Sequence, residues 1–418
     1  AAGVPVVQIG ADGVERNLGD GDIAKLVAAH LTDWRWRNPF DGQEFSVLEA
    51  IALCGVWRNL IDANRRIHSV MGIARWKRPT VTALLWGGED VPYDRSLKAM
   101  PEDKAVAIWR TRLSAKQARA IADPSIPIIE IEDGFIRSQG LGADCVPPLS
   151  IIMDALGPHF APGAPSELER LLQDGDFTED LLVRARTLRQ AIIAGGLSKY
   201  ESGATAVLPR PGGERWHVLV PGQVEDDRAL TSGGALSTNL ELLRRARAAV
   251  GPDAYVIYKP HPDVLAGHRR GHIADSDMAV LADDVATAGA MPALIAMVDE
   301  LHVNTSLAGF EGLLRGKAVT VHGAPFYAGW GLTTDLGSIP ERRTARRTLD
   351  ELVAAALLLY PRYYDPVTGL PAPAEVVVDR LQRQTAVAFD WRLTANIAWR
   401  RLFGPARARL EELSRPRK

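Results

Sequence analysis

The chain has 418 residues, with 49 Lys and Arg against 51 Asp and Glu, a formal net charge of −2, and 46% hydrophobic residues. Its length exceeds the roughly 250–300 residues at which a single core stops growing, so two compact domains are expected. The near-neutral charge excludes the basic footprint of a nucleic-acid binder, and two cysteines, Cys54 and Cys145, exclude a disulfide framework or a cysteine-built zinc site.

So few cysteines suit a reducing compartment, and a cytoplasmic location is expected. The first residues, A-A-G-V-P-V-V-Q-I-G, lack the basic flank and long apolar core of a signal peptide. The longest apolar candidate, over 353–360, falls far short of the roughly 20 residues that span a bilayer, so no integral membrane protein is expected.

From Asp22 to about Ala74, Ile23, Leu26 and Val27, then Leu48, Ile51, Ala52, Val56 and Leu60, recur at helical spacing. This gives an N-terminal helical lead-in over 1–78. Trp34, Trp36, Trp57 and Trp76 stand among Arg35, Arg37, Arg58, Arg65, Arg66, Lys77 and Arg78. Such a mixture can bind an anionic sugar polymer, or it can be core tryptophans flanked by snorkelling cations.

A first Rossmann-like domain is expected over 79–205, with strands at 81–86, 105–109 and 126–131 and a helix at 114–122. The third strand delivers Glu132, Asp133, Arg137 and Ser138 to a carboxyl edge beside Gly134, Gly140 and Gly142. Those glycines do not form G-x-G-x-x-G, so the stretch reads either as a site or as a plain glycine turn. A loop and then helices follow over 147–200, with Ser166 and Glu169 spaced as a capping box. The Pro- and Gly-rich stretch 201–214 reads as the domain boundary.

A second Rossmann-like domain over 206–375 repeats the alternation, with strands at 218–220, 255–258, 301–303 and 318–321 and helices at 238–250, 292–298 and 307–314. A last helix is expected over 349–360, then a helical tail over 376–418. In that tail Arg392, Arg400, Arg401, Arg407, Arg409, Arg415, Arg417 and Lys418 outnumber Asp390, Glu411 and Glu412. It can lie on an anionic membrane or pack back on the first domain.

The stretch W-H-V-L-V-P-G-Q-V-E-D-D, Trp216 to Asp227, carries a buried strand closed by Pro221 and Gly222. Ligands bind just past the carboxyl ends of strands in open α/β sheets, so Gln223, Glu225, Asp226 and Asp227 emerge where chemistry is usually done. Alternatively an aspartate there caps the next helix. The next strand ends in Y-K-P-H-P, where Pro260 and Pro262 hold Lys259 and His261 as donors for an anion.

A third strand feeds Asn304, Thr305 and Ser306 into a helix start, a ready anion site. Gly309 permits close approach there, and Glu311 can take the hydroxyls of a ribose; an N-cap and a surface glutamate are the competing account. On the loop 324–335, Tyr327 and Trp330 are able to stack on a base or sugar, or else belong to a structural Ω-loop. Together these pieces outline a glycosyltransferase of GT-B type, two Rossmann domains facing across a cleft that holds a negatively charged, nucleotide-linked donor.

The motifs E-D-G-F-I-R-S, G-Q-V-E-D-D, K-P-H-P, T-S-L-A-G-F-E and P-F-Y-A-G-W-G, spread over about 76–335 with W-K-R-P and G-L-S-K-Y beside them, resemble the KpsC-like capsule-polysaccharide β-Kdo transferases. That resemblance implies transfer of Kdo, a 2-keto sugar acid, from CMP-Kdo to a glycan or glycolipid acceptor with retention of configuration. Retention implies a carboxylate nucleophile, assigned to Asp227 with Asp226 as the fallback, and an acid/base, assigned to Glu132. His261 is expected to act on the leaving phosphate or the Kdo carboxylate, assisted by Lys259. Gln223, Thr305, Ser306, Glu311, Arg137, Ser138 and Tyr327 are expected to contact substrate.

No metal or other cofactor is expected, although Glu225, Asp226 and Asp227 also read as a divalent-ion site. The family often carries two such modules in tandem, where this chain carries one. A non-catalytic capsule assembly or export factor, and a transferase of another CMP-linked ulosonic acid, are the competing functions. Peripheral inner-membrane association is the further expectation from the tail.

Overall fold

The computed structural model describes residues 7–9, 15–17, 25, 29, 35–98, 100–138, 146–198, 208–234 and 236–383. The chain divides into two compact units, 1–64 and 65–418. In the first, β1 (Val7–Ile9) pairs antiparallel with β2 (Glu15–Asn17), and β3 (Trp36–Arg37) with β4 (Glu44–Phe45). The helix Val47–Asn64 follows. Its start is set by a reciprocal cap: Ser46 Oγ accepts the Glu49 N–H at 3.2 Å, and the Glu49 carboxylate accepts the Ser46 N–H at 2.9 Å. The lead-in is therefore part β; Ile23, Leu26, Val27 and Trp34 lie outside the described residues.

The second unit holds two six-stranded sheets. The first opens with three parallel strands, β5 (Ile67–Met71), β6 (Ala105–Ile108) and β7 (Ile128–Asp133), and continues with β8 (Ser150–Asp154), antiparallel to β7. The second is all parallel: β9 (His217–Pro221), β10 (Tyr255–Lys259), β11 (Asp284–Val285), β12 (Glu300–Val303), β13 (Ala318–Val321) and β14 (Thr334–Asp335) run in the order β11-β10-β9-β12-β13-β14. The chain then returns to the first sheet, where β15 (Pro361–Tyr364) pairs antiparallel with β8 and with β16 (Pro371–Ala372).

The first sheet departs from the sequence expectation in three places. Residues 81–86 are not a strand: Pro79 stands in the first turn of the helix Arg78–Leu84, where its missing N–H costs nothing. Val81, Leu84 and Leu85 are buried there, and a short buried apolar run has no period that separates helix from strand. The sheet instead begins at Ile67, ahead of the expected boundary at 78, in a strand whose apolar run is broken by buried His68 and Ser69.

Strands β8 and β15 make half of this sheet antiparallel. Neither was legible, because β8 is a five-residue run and β15 is P-R-Y-Y, led by a proline that a strand tolerates only at its start or edge. The segment of the second sheet thus ends near 360 rather than 375. The expected helix at 349–360 becomes Leu349–Val353 continued as a π-helical turn, Ala354–Leu359, with Ala354 to Leu357 buried.

In the second sheet the register sets the site. Val218 pairs with Val256, Pro221 with Lys259, and Leu219 with Leu301. The turns after β9, β10 and β12 therefore emerge side by side. The two sheets share one core, in which Phe135 stacks on Phe326 at 4.6 Å between ring centroids and lies 6.0 Å from Phe310. Among the described residues no helix is long and apolar enough to cross a membrane.

Ser166 caps the helix Glu167–Asp174, its Oγ accepting the Glu169 N–H at 3.1 Å. The Glu169 side chain does not complete the expected box; its carboxylate turns to Arg342 and to Arg343 Nε, the latter at 2.7 Å. Arg343 is almost wholly buried, so Glu169→Ala leaves a buried cation without its counter-charge. The expected cost is about 3–5 kcal/mol, read as a lowered denaturation midpoint; an unchanged midpoint contradicts it.

Candidate functional site

The polar residues past β9 engage their neighbours in turn. Gln223 donates from Nε2 to Thr305 Oγ1 at 3.1 Å and accepts the Thr305 N–H at 3.0 Å, tying the turn after β9 to the turn after β12. Its backbone N–H donates to Asn239 Oδ1 at 2.8 Å, and Glu225 Oε1 accepts the Asn239 N–H at 2.8 Å. Asp226 pairs with Arg269 at 3.0 Å. Asp227 caps the helix Arg228–Gly233, Oδ1 accepting the Ala229 N–H at 2.8 Å, with its side chain at the surface. The three consecutive carboxylates thus turn to three different protein partners.

The facing edge belongs to β7. Its sequence I-I-E-I-E-D alternates, so Ile129 and Ile131 are buried on one side while Glu130 and Glu132 project together on the other. One guanidinium therefore reaches both: Arg228 Nη1 lies 2.8 Å from Glu132 Oε1 and Nη2 3.2 Å from Glu130 Oε2. Arg110 also holds Glu130, at 2.6 Å. Burial raises the Glu132 carboxyl to about 7; Arg228 opposes that, while Asp133 and Glu130 push the same way.

Asp133, the next residue, accepts from Lys77 Nζ at 2.9 Å and Arg137 Nε at 3.0 Å. Lys77 sits 3.3 Å above the centroid of Trp109, and burial lowers its ammonium to about 8 against the pull of Asp133. Arg137 donates to Ser138 Oγ at 2.8 Å and to the Val146 carbonyl at 3.1 Å. Both residues are buried, Arg137 at 1% exposure. Expected to touch substrate, Arg137 in this structure turns to Asp133, to Ser138 and to the Val146 carbonyl.

The anion residues divide similarly. His261 is about one-third exposed and caps the turn Pro262–Leu265, Nδ1 accepting the Asp263 N–H at 3.2 Å. Lys259 is buried and donates to the Gly289 carbonyl at 3.0 Å. Ser306 caps the helix Leu307–Leu314, Oγ accepting the Ala308 N–H at 3.2 Å.

Tyr327 is wholly buried, and its hydroxyl donates to the Ser306 carbonyl. Trp330 is buried too, donating to the Phe326 carbonyl at 2.8 Å. Both rings are packed inside the protein, as the structural account of this loop expects. Gly309 makes room for protein rather than ligand, since a Cβ there would stand 2.8 Å from Tyr327 Cζ. Glu311 is buried beside Phe135, Ile136, Leu307 and Phe310, one turn into the helix that follows β12, and is not the surface glutamate of the competing account.

The structure thus brings together Glu132 and the Asp227 turn through Arg228, and Gln223 and Thr305 through each other. Sequence reasoning missed Arg228, Glu130, Lys77 and Asn239. Two signals were present: Arg228 directly follows the acidic turn, and Glu130 stands two residues, one strand repeat, before Glu132. A cavity of about 850 Å³ opens at the other, amino edge of the second sheet, lined by Trp216, Glu300 and His302. None of the residues named above as ligand contacts lines it.

Residues 104–205 and 201–363 match the family described as capsule polysaccharide biosynthesis protein. The chain belongs to that family. It is 39% identical over 382 residues to the capsule polysaccharide modification protein LipA of Neisseria meningitidis serogroup A, covering 88% of this chain and 52% of LipA. The chain therefore spans about half the length of that relative. The lipopolysaccharide-processing protein LpsZ of Rhizobium meliloti is 41% identical over 346 residues, 79% of this chain and 77% of LpsZ.

Two solved structures of Thermosulfurimonas dismutans KpsC share the fold. The β-Kdo 2,4 transferase has a TM-score of 0.64 at 32% identity, covering 75% of this chain and 97% of that one. The β-Kdo 2,7 transferase has a TM-score of 0.61 at 30% identity, covering 77% and 99%. The resemblance to KpsC expected from the motifs is borne out.

The Lys77, Asp133 and Arg137 group sets the loop that follows Glu132. Asp133→Ala strands two buried cations, and the expected loss is about 3–5 kcal/mol. Asp133→Asn removes the charge but keeps one acceptor oxygen for Lys77 or Arg137, so it should lose less than Asp133→Ala and still fall below the wild type. A wild-type denaturation midpoint in the neutral Asp133→Asn variant would remove the charge from this account.

Proposed function

We propose that the protein is a GT-B-type retaining β-Kdo glycosyltransferase that moves Kdo from CMP-Kdo to a glycan or glycolipid acceptor in capsule or surface polysaccharide synthesis. The observation that carries this reading is the pair of carboxylate-bearing edges joined by Arg228: Glu132 on the first sheet, half-buried and raised to about 7, and the Asp227 turn on the second. A carboxyl titrating near neutrality is suited to accept and return a proton.

In the first step an Asp227 carboxylate oxygen bonds to the anomeric carbon of Kdo, and the bond to the CMP phosphate breaks with its electron pair leaving on the phosphate. In the second, the acceptor hydroxyl oxygen attacks that carbon, Glu132 takes its proton, and the bond to Asp227 breaks, restoring the carboxylate. Two inversions give retention. Asp226 is the weaker candidate, because Arg269 already holds it.

The leaving phosphate is met by the helix start at Ser306 and by His261. Lys259 contributes through the backbone it braces, since its ammonium is bound to Gly289. Helix N–H groups, with the His261 ring beside them, would supply the neutralisation that a metal otherwise provides, so full activity is expected in excess EDTA, and its loss would restore the divalent-ion reading. Cytoplasmic placement with peripheral inner-membrane contact through the basic tail is part of the proposal. That tail, beyond residue 383, lies outside the described residues; failure of the intact protein to pellet with anionic liposomes removes this part.

Intact mass after exposure to freshly generated CMP-Kdo without acceptor tests the chemistry. One Kdo should add to the wild type and to Asp226→Asn, but not to Asp227→Asn. With acceptor glycans, Glu132→Gln should transfer about 10²–10⁴-fold more slowly. No adduct, and no CMP released even with acceptor present, would favour a non-catalytic assembly factor or a different donor.

A further inference from the structure

Arg228 makes contacts that a helix-start arginine does not need for its own helix. It leaves the second sheet one residue after the Asp227 cap, crosses to the first sheet, and divides its fork between Glu132 at 2.8 Å and Glu130 at 3.2 Å. The guanidinium also lies 5.0 Å from the ring centroid of Phe160, on the loop after β8. Its helix is pressed against that loop: a Cβ on Gly233 would stand 2.5 Å from the Phe160 carbonyl. Arg228 is therefore held at both ends, by a docked helix behind it and two carboxylates in front.

Glu130 is shared with Arg110, whereas of the hydrogen bonds and ion pairs described here Glu132 receives Arg228's alone. We propose that Arg228 is a positioning residue that ties the Asp227 turn to Glu132 and keeps the Glu132 carboxylate in its charged, proton-accepting form. This rests on the acid–base role given to Glu132 above.

The groups facing Glu132 decide the sign. Arg228 comes from the helix Arg228–Gly233, Lys77 from the turn before the helix Arg78–Leu84, and Asp133 and Glu130 from its own strand. The Tyr360 phenol, held neutral and donating to Asp154, also senses the Glu132 charge. Lys77 is committed to Asp133, so Arg228 is the cation in direct contact. Removing it leaves burial and two like charges, all of which favour the protonated form. The titration midpoint of Glu132 must then rise, and the acidic limb of the transfer rate must move to higher pH with it. Lysine restores the charge but not the planar fork that reaches two carboxylates.

The test is a pH titration of the ¹³Cδ resonances of glutamate-labelled protein, with the Glu132 signal assigned by its absence in Glu132→Gln. In Arg228→Gln the midpoint should rise by about one unit or more, and in Arg228→Lys it should return part of the way. An unchanged midpoint in Arg228→Gln, with the other glutamate resonances at their native positions, overturns the proposal. If the midpoint moves as expected while Glu132→Gln transfers at the wild-type rate, the tie stands and the acid–base role falls. If Glu132→Gln abolishes transfer and the Arg228→Gln midpoint does not move, the role stands and the tie falls.

Discussion

The packing of Phe135 against Phe326 is the constraint from which the site follows. Phe135 lies two residues beyond Asp133 at the end of the first sheet, and Phe326 belongs to the loop after β13 in the second. Joining these rings in one apolar core fixes the carboxyl edge of β7 against the carboxyl edges of the parallel sheet. A stacked aromatic pair is worth about 0.5–1.5 kcal/mol beyond the area it buries. Its larger consequence is geometric, since it leaves Glu132 within reach of a side chain that starts beside Asp227. The Ω-loop serves the same end from behind, with Tyr327 and Trp330 buried and Tyr327 fastened to the Ser306 carbonyl.

Around that core the protein buries charge, which is costly unless each ion finds a partner. Lys77 and Arg137 converge on Asp133, Arg343 on Glu169, and Arg228 on Glu132 and Glu130. The pairs differ in what they leave over. At Asp133 two cations share one carboxylate, so the anion is well compensated. At Glu132 a single arginine divides itself between two carboxylates, and burial outweighs its attraction.

Much of this was legible in the sequence where strand and turn chemistry act locally. The run Val218 to Val220, the Y-K-P-H-P turn and the helix after Ser306 lie where their patterns place them, because buried parallel strands read as short apolar runs with polar residues at their ends. The first sheet was misread because nothing local distinguishes V-T-A-L-L-W in a proline-led helix from a strand, nor P-R-Y-Y in a returning strand from a loop. The site residues divide along the same line. Backbone placement was foreseen, whereas side-chain partners such as Gln223 with Thr305, or Arg228 with Glu132, depend on separations of 82 and 96 residues that no local pattern records.

The two solved KpsC transferases make different linkages, 2,4 and 2,7, yet this chain superposes on both to a similar degree, with TM-scores of 0.64 and 0.61 at 32% and 30% identity. A scaffold that fits two linkages this evenly does not itself select one. Under the transfer proposed above, what selects must vary while the sheets stay constant, a condition that side chains around an acceptor would meet and buried ones do not. Arg137 and Ser138 are spent on the loop that carries them, and Tyr327 on Ser306, so a change at any of these would alter the scaffold before it altered the choice of hydroxyl. Linkage under that transfer would be set at exposed positions near the first sheet's carboxyl edge, where a substitution would move the acceptor without moving Glu132.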